Sequence, residues 1–195
     1  MIVLLATTNR NKLRELQNLF AGSTIDLKHP SDVGTALPRV TETGGTLKEN
    51  ALLKAKALAK ASNQLALGDD SGLEVEVLGG APGIRSARFA RDGATDGENT
   101  AKLLKVLRSA RKRRAKFRCV LALAKPTGET LLAEGFMEGE IAMETMGEGG
   151  FGYDPVFWLP AFQRTMAQIS FDEKQRISHR AKAVAKLKTL LPGFL

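Results

Sequence analysis

Cysteine, tryptophan and tyrosine are nearly missing from this chain: each occurs once in 195 residues. The lone Cys119 excludes an internal disulfide. Its setting, Phe117-Arg118-Cys119-Val120-Leu121-Ala122-Leu123, reads as a core strand and not as the surroundings of a nucleophile. A reducing cytoplasm is the expected compartment. Long uninterrupted apolar runs are absent, so no membrane partner is expected. The opening Met1-Ile2-Val3-Leu4-Leu5-Ala6 is too short for a signal peptide and lacks a basic start, so export is not expected. Internal repeats, low-complexity tracts and linkers are missing as well. What remains, with 43% hydrophobic and 26% charged residues, is an ordinary globular composition and a single domain over 1–195, long enough for a real core.

Negative charge is also in deficit. Twenty-one acidic residues face 29 Lys and Arg, a formal net charge of +8, which favours polyanions or small phosphorylated molecules. The densest basic stretch is Arg108-Ser109-Ala110-Arg111-Lys112-Arg113-Arg114-Ala115-Lys116. No aromatic residue is interleaved to stack on bases, so a solvated helix end and loop is preferred there over a nucleic-acid patch.

Against this background two adjacent carboxylates stand out, in Gly68-Asp69-Asp70-Ser71-Gly72-Leu73. The preceding Gln64-Leu65-Ala66-Leu67 reads as a short buried strand, which puts the acids where that strand stops and a Ser-Gly turn begins. Two like charges there are costly unless something positive fills the gap. Magnesium or manganese suits such hard oxygens. The same residues equally suit a solvated turn, and both readings stay open on local grounds.

Periodicity places the other elements. A strand is expected over Met1 to Ala6, then a helix in which Leu13, Leu16, Leu19 and Phe20 recur at helical spacing. Capping-box spacings at Thr46/Glu49 and Thr95/Glu98 announce helices to about Ala61 and over Asp96 to Arg108. Strands are expected at Leu65 to Asp69, Leu73 to Val77, Lys116 to Ala124, Glu129 to Glu138 and Glu140 to Thr145, with a hairpin turn at Lys125-Pro126-Thr127-Gly128. A last helix is expected from Ser178 to Leu191. The class is mixed α/β.

Three more segments carry candidate chemistry. The turn Ala6-Thr7-Thr8-Asn9-Arg10-Asn11-Lys12 offers hydroxyls, a lysine and helix N-terminal N–H groups, a phosphate seat or an ordinary cap. It lacks the glycines of a Walker loop. Gly147-Glu148-Gly149-Gly150-Phe151-Gly152-Tyr153-Asp154-Pro155 lets backbone approach a flat ligand, with Phe151 or Tyr153 free to stack on it, unless these aromatics plug the core. Ser178-His179-Arg180, preceded by Asp172-Glu173-Lys174, puts cations in a first helical turn against the macrodipole, which suggests service to a ligand with acceptor atoms; a plain Ser178 cap is the alternative.

Taken in order, these segments together with Glu42-Thr43-Gly44, Thr46-Leu47-Lys48-Glu49-Asn50-Ala51 and Leu78-Gly79-Gly80-Ala81-Pro82-Gly83-Ile84 form one series. The chain resembles, nearly end to end, the inosine triphosphate pyrophosphatase family, also called the non-canonical purine (dITP/XTP) pyrophosphatases. The resemblance implies an α/β fold of two lobes around a long mixed sheet, with the active site in the cleft between lobes, usually as a homodimer. It implies hydrolysis of ITP, dITP and XTP between the α and β phosphates, which cleans the nucleotide pool. Competing readings are a nucleic-acid-binding protein and a pyrophosphatase for modified pyrimidine nucleotides; with the resemblance in hand no nucleic-acid partner is expected.

Residue by residue, the resemblance makes Asp70 the general base and Glu42, Asp69 and Asp70 the ligands of magnesium, with manganese as the alternative ion. Thr7, Thr8, Asn9, Lys12 and Lys54 would bind phosphates, and Ser71 would add a backbone N–H. Phe151 would stack on the purine within Phe151-Gly152-Tyr153-Asp154, and Asp154 would orient donors. Lys174, His179 and Arg180 would aim donors at the 6-oxo group of hypoxanthine or xanthine, where adenine presents a donor of its own. Thr8, Arg85 and Arg91 depart from the family pattern.

Overall fold

The buried apolar opening forms β1 (Ile2–Leu5) and leads into α1 (Arg10–Phe20) through an Asn9 cap, whose side chain accepts from the Asn11 and Lys12 amides. The computed structural model describes residues 1–194. After β2 (Asp26–Lys28), an irregular stretch leads to α2 (Leu47–Ser62), capped by Thr46, and to β3 (Ala66–Val75). Then come α3 (Asp96–Val106), β4 (Arg114–Ala124), β5 (Thr130–Ile141), β6 (Phe157–Leu159), β7 (Arg164–Thr165), α4 (Phe171–Ile177) and α5 (His179–Leu190). The strands form one mixed sheet in the order β2-β1-β3-β4-β5-β6-β7. Parallel pairing joins β1 to β2 and β3, whereas β5, β6 and β7 pair antiparallel. The class is the expected α/β. Among the described residues no helix is long and apolar enough to cross a membrane.

The chain divides into two compact units. The first holds Met1–Asp70, Cys119–Gly135 and the segment from His179 onward; its core packs Leu5, Leu16, Phe20, Leu67, Leu121 and Leu187. Cys119 is fully buried there on β4, with its thiol donating to Asp69 Oδ2 at 3.8 Å. The second unit holds Ser71–Arg118 and Phe136–Ser178, with a core of Leu73, Leu103, Phe117, Met137, Tyr153 and Phe157.

The largest departure from expectation concerns the acidic pair. No turn forms after Asp69-Asp70; β3 runs unbroken through Gly68, both acids, Ser71 and Gly72 to Val75. Turn-forming residue types are overridden because both glycines are needed as flat surface. A Cβ on Gly68 would lie 2.2 Å from the Ala51 carbonyl of α2, and one on Gly72 would lie 2.5 Å from the Gly83 carbonyl. Small residues on the buried face of α2, Ala51, Ala55 and Ala59, complete that close approach.

Gly139 behaves alike. It does not separate two strands; β5 passes through it to Ile141, and the missing side chain lets β6 approach, since a Cβ there would lie 2.5 Å from the Trp158 carbonyl. α3 ends at Val106, short of the expected Arg108. The basic stretch then divides: Arg113 is buried and donates to the carbonyls of Leu107, Ile141 and Ala142, while Arg114 and Lys116 belong to β4. The short elements β2, β6, β7 and α4 had no counterpart in the periodicity.

Candidate active site

Consecutive side chains on a strand point to opposite faces of its sheet. Asp69 and Asp70, lying within β3, therefore leave it on opposite faces and pair directly with different cations, although Lys12 acts on both. Asp69 is 1% exposed and meets Lys12 Nζ at 2.6 Å through Oδ1 and Arg180 Nε at 2.8 Å through Oδ2. Burial opposes its charge, yet Lys12 and Arg180 overcome that opposition and hold the carboxyl well below the usual range. Arg180, itself buried, also pairs with the buried Glu15 of α1. Burial works against the guanidinium too, but Asp69 and Glu15 outweigh it and hold the Arg180 pKa above its ordinary value.

Asp70 faces Lys54 of α2, with 2.6 Å between Oδ1 and Nζ; the same Nζ lies 2.9 Å from Glu42 Oε1. Here burial prevails: it pushes the Asp70 carboxyl above the ordinary value, and Lys54 and Lys12 only partly offset it. Lys54 is held charged, because Asp70 and Glu42 outweigh the burial that opposes its ammonium. The irregular segment that carries Glu42 is stapled to α2. The Gly44 amide donates to Asn50 Oδ1 at 2.8 Å and the Gly45 amide to Glu49 Oε2 at 2.6 Å.

In the second unit a separate group forms around the glycine-rich segment. Asp154, 2% exposed, accepts from Lys174 Nζ at 2.5 Å and from the Phe151 amide at 2.9 Å through the same oxygen. Lys174 Nζ also lies 4.6 Å from the centre of the half-buried Phe151 ring. Gly150 is confined to glycine, for a Cβ would come within 2.0 Å of Asp154 Oδ2.

Other expected binders sit differently. Tyr153 is not free to stack: its ring plugs the core and its hydroxyl donates to the Ser86 carbonyl at 2.8 Å. Burial, with a smaller contribution from Asp96, raises its phenol above the ordinary value. Asn9 Oδ1 occupies the Asn11 and Lys12 amides, so these helix N-terminal donors are already satisfied by the cap. Thr7 is half-buried and accepts from the Asn9 amide, and Thr8 is exposed. Ser71 is half-exposed on β3, and the Gly152 amide donates to Asp96. His179 is buried at the start of α5, where Gly135 packs within side-chain reach of its carbonyl. Arg180 opposes the helix dipole for the sake of Asp69 and Glu15.

Residue types suited to a divalent cation are present in part. Glu42 and Asp70 converge on one ammonium and are hard oxygen donors, the usual number of carboxylates for magnesium alongside phosphates. Asp69 turns to Lys12 and Arg180, and among the described residues no three His, Cys, Asp or Glu side chains are grouped as a metal site.

Comparison with known proteins places the whole chain in one family. Residues 3–190 match the Ham1 family. The chain belongs to the Ham1 family. A relative named dITP/XTP pyrophosphatase from Exiguobacterium sibiricum is 46% identical over 197 aligned positions, covering 100% of this chain and 99% of that protein. One of the same name from Bacillus subtilis is 44% identical over 190, covering 96% of each. The solved structure of a HAM1 protein from Coxiella burnetii superposes with a TM-score of 0.89 at 41% identity, over 99% of both chains. The Staphylococcus aureus Ham1 protein gives 0.87 at 41%, over the whole of both.

Several residues of this Ham1-family site escaped the sequence reading. Glu15 lies on α1 among Leu13, Leu16 and Leu19, three residues after Lys12; an acid on that apolar face was the available signal. Asn50, fully buried in the first turns of α2, stood in the motif Thr46-Leu47-Lys48-Glu49-Asn50-Ala51 but was given no role there. Ser170 and Glu173, the capping box of α4, stand three apart and could have announced the helix that presents Lys174.

Proposed function

We propose that this Ham1-family chain hydrolyses non-canonical purine nucleoside triphosphates, dITP, ITP and XTP, to the monophosphate and pyrophosphate. The activity named for its full-length relatives supports the reading, and one observation carries it: Lys54 of α2 is held between Asp70 of β3 and Glu42, a cation flanked by two carboxylates.

In the first unit, Lys12 and Lys54 supply fixed positive charge for the triphosphate, with Thr7, Thr8 and Asn9 at the start of α1 as polar neighbours. Asp69 holds Lys12 in place, Arg180 orients Asp69, and Glu15 balances Arg180. Asp70 is the general base: its raised affinity for a proton suits it to accept one from water. The water oxygen bonds to the α-phosphorus, its proton passes to Asp70, and the bond from the α-phosphorus to the bridging oxygen breaks to release pyrophosphate. Glu42 and Asp70 would hold magnesium, or manganese, which when bound neutralises the leaving pyrophosphate and polarises the phosphorus.

In the second unit, Phe151 supplies a flat apolar face for the purine, and Lys174, oriented by Asp154, is the donor for a 6-oxo group. An adenine amino group would meet that ammonium donor to donor, which disfavours ATP. The protein is proposed to work in the cytoplasm as a homodimer.

Pyrophosphate release from dITP, ITP, XTP, GTP, ATP and dUTP, each with magnesium, tests the reading. Rapid turnover of the first three and slow turnover of the rest is the expected result. Equal rates for all six would remove the selectivity, and no release from any would remove the activity.

A further inference from the structure

Four of the six residues from Gly147 to Gly152 are glycine, and Gly147, Gly150 and Gly152 adopt positive φ of 85°, 73° and 63°. Such a segment has more backbone freedom than any other residue type would leave it, so the stance of Phe151 depends on what pins it. Three bonds do so. The Phe151 amide donates to Asp154 Oδ2, the Tyr153 hydroxyl is moored to the Ser86 carbonyl, and between them the Gly152 amide donates to Asp96 Oδ2 at 2.7 Å. Asp96 is the first residue of α3, 56 positions away in sequence and solvent-exposed. Neither burial nor capping requires its carboxylate to reach the loop, for Thr95 and Glu98 already close the capping box of α3.

We infer that Asp96 is a positioning residue for purine recognition, a latch that holds the Phe151–Gly152 peptide so that the ring is presented to the base in one orientation. The inference rests on the proposed function, in which Phe151 stacks on the purine. With the latch cut, a glycine-flanked Phe151 samples several stances, and each bound base must order it anew. That cost falls on ligands that carry a base and spares ligands that are phosphate alone. Asp96 touches no reacting atom in this account, so turnover of bound substrate is nearly unaffected.

The test compares the parent with Asp96→Ala, Asp96→Ser and Asp96→Asn, reading KM and kcat for ITP and the inhibition constants of IMP and of inorganic tripolyphosphate. Asp96→Ala and Asp96→Ser should raise the ITP KM and the IMP constant about tenfold, the equivalent of one lost charge-assisted hydrogen bond. The kcat and the tripolyphosphate constant should stay within about twofold, and Asp96→Asn, which keeps an acceptor oxygen, should recover most of the loss. Serine remains a good first-turn residue, so the measurement survives if the alanine variant folds poorly. Should the ITP, IMP and tripolyphosphate constants of both variants rise together, the residue is merely structural and the latch is refuted. Unchanged constants in both, with an active parent, refute the latch alone. A parent that neither turns over ITP nor binds IMP refutes the proposed function and the latch with it.

Discussion

Asp69 and Asp70 are neighbours in sequence and yet pair directly with different cations, Asp69 with Lys12 and Arg180 and Asp70 with Lys54. Asp69 is ionised between Lys12 and Arg180, whereas Asp70, paired with Lys54, retains an affinity for a proton above that of an ordinary aspartate. The division follows from strand geometry, since alternate residues leave the sheet on opposite sides.

Replacing Asp70 by Asn removes the proposed base without altering shape. ITP turnover should fall about 10²- to 10⁴-fold, the range for a general base, while the thermal midpoint stays close to that of the parent. Pyrophosphate release and a melting curve on the same preparation check this together.

The pH profile should carry the same signature. Because burial raises the Asp70 pKa, the acid limb of kcat/KM should lie above the pH at which a solvated aspartate would place it. Activity should rise with pH as Asp70 loses its proton. Lys54→Gln removes a cation that favours the ionised form, so the limb should move to still higher pH. A limb that stays in place in that variant would remove Asp70 from the role.

Asp69 should govern acid stability with the opposite sign. Its folded pKa is depressed, so its contribution is fully present above the unfolded value and is lost as pH falls through the folded one. Asp69→Asn leaves Lys12 and Arg180 short of a counter-charge and should cost about 3–5 kcal/mol near neutrality. The gap between variant and parent should narrow as acid removes the same charge from the parent. Urea unfolding from neutral pH into the acid range measures both halves.

Glycine substitutions should separate by position. Gly68→Ala drives a methyl against the Ala51 carbonyl, forces β3 and α2 apart, and should destabilise by about 1–3 kcal/mol with loss of activity, because Lys54 and Asp70 sit on those two elements. Gly97→Ala, in α3, meets nothing closer than 4.0 Å and should stabilise by about 0.5–1 kcal/mol with activity intact. Denaturant midpoints and ITP assays distinguish the two.

Metal removal supplies a last check. Chelation should abolish ITP turnover, and Glu42→Gln should raise the magnesium concentration for half-maximal rate more than it raises the substrate KM. Magnesium titrations at fixed ITP read this directly.

By itself the sequence determined what is local: the helices begun by Asn9, Thr46 and Thr95, the apolar strands, and the identities of the groups able to do chemistry. Those features depend on residues within one helical turn or one strand of each other, so their signals lie side by side in the chain. Tertiary structure alone decided the partnerships. Arg180 reaches Asp69 across 111 residues and Glu15 across 165, and Gly152 reaches Asp96 across 56. No local pattern encodes those pairings. The same holds for Asp69-Asp70-Ser71-Gly72, whose residue types favour a turn. Strand pairing and the close approach of α2 at Gly68 and of Gly83 at Gly72 make the segment a strand, because burying that backbone against its neighbours outweighs a local preference of smaller size.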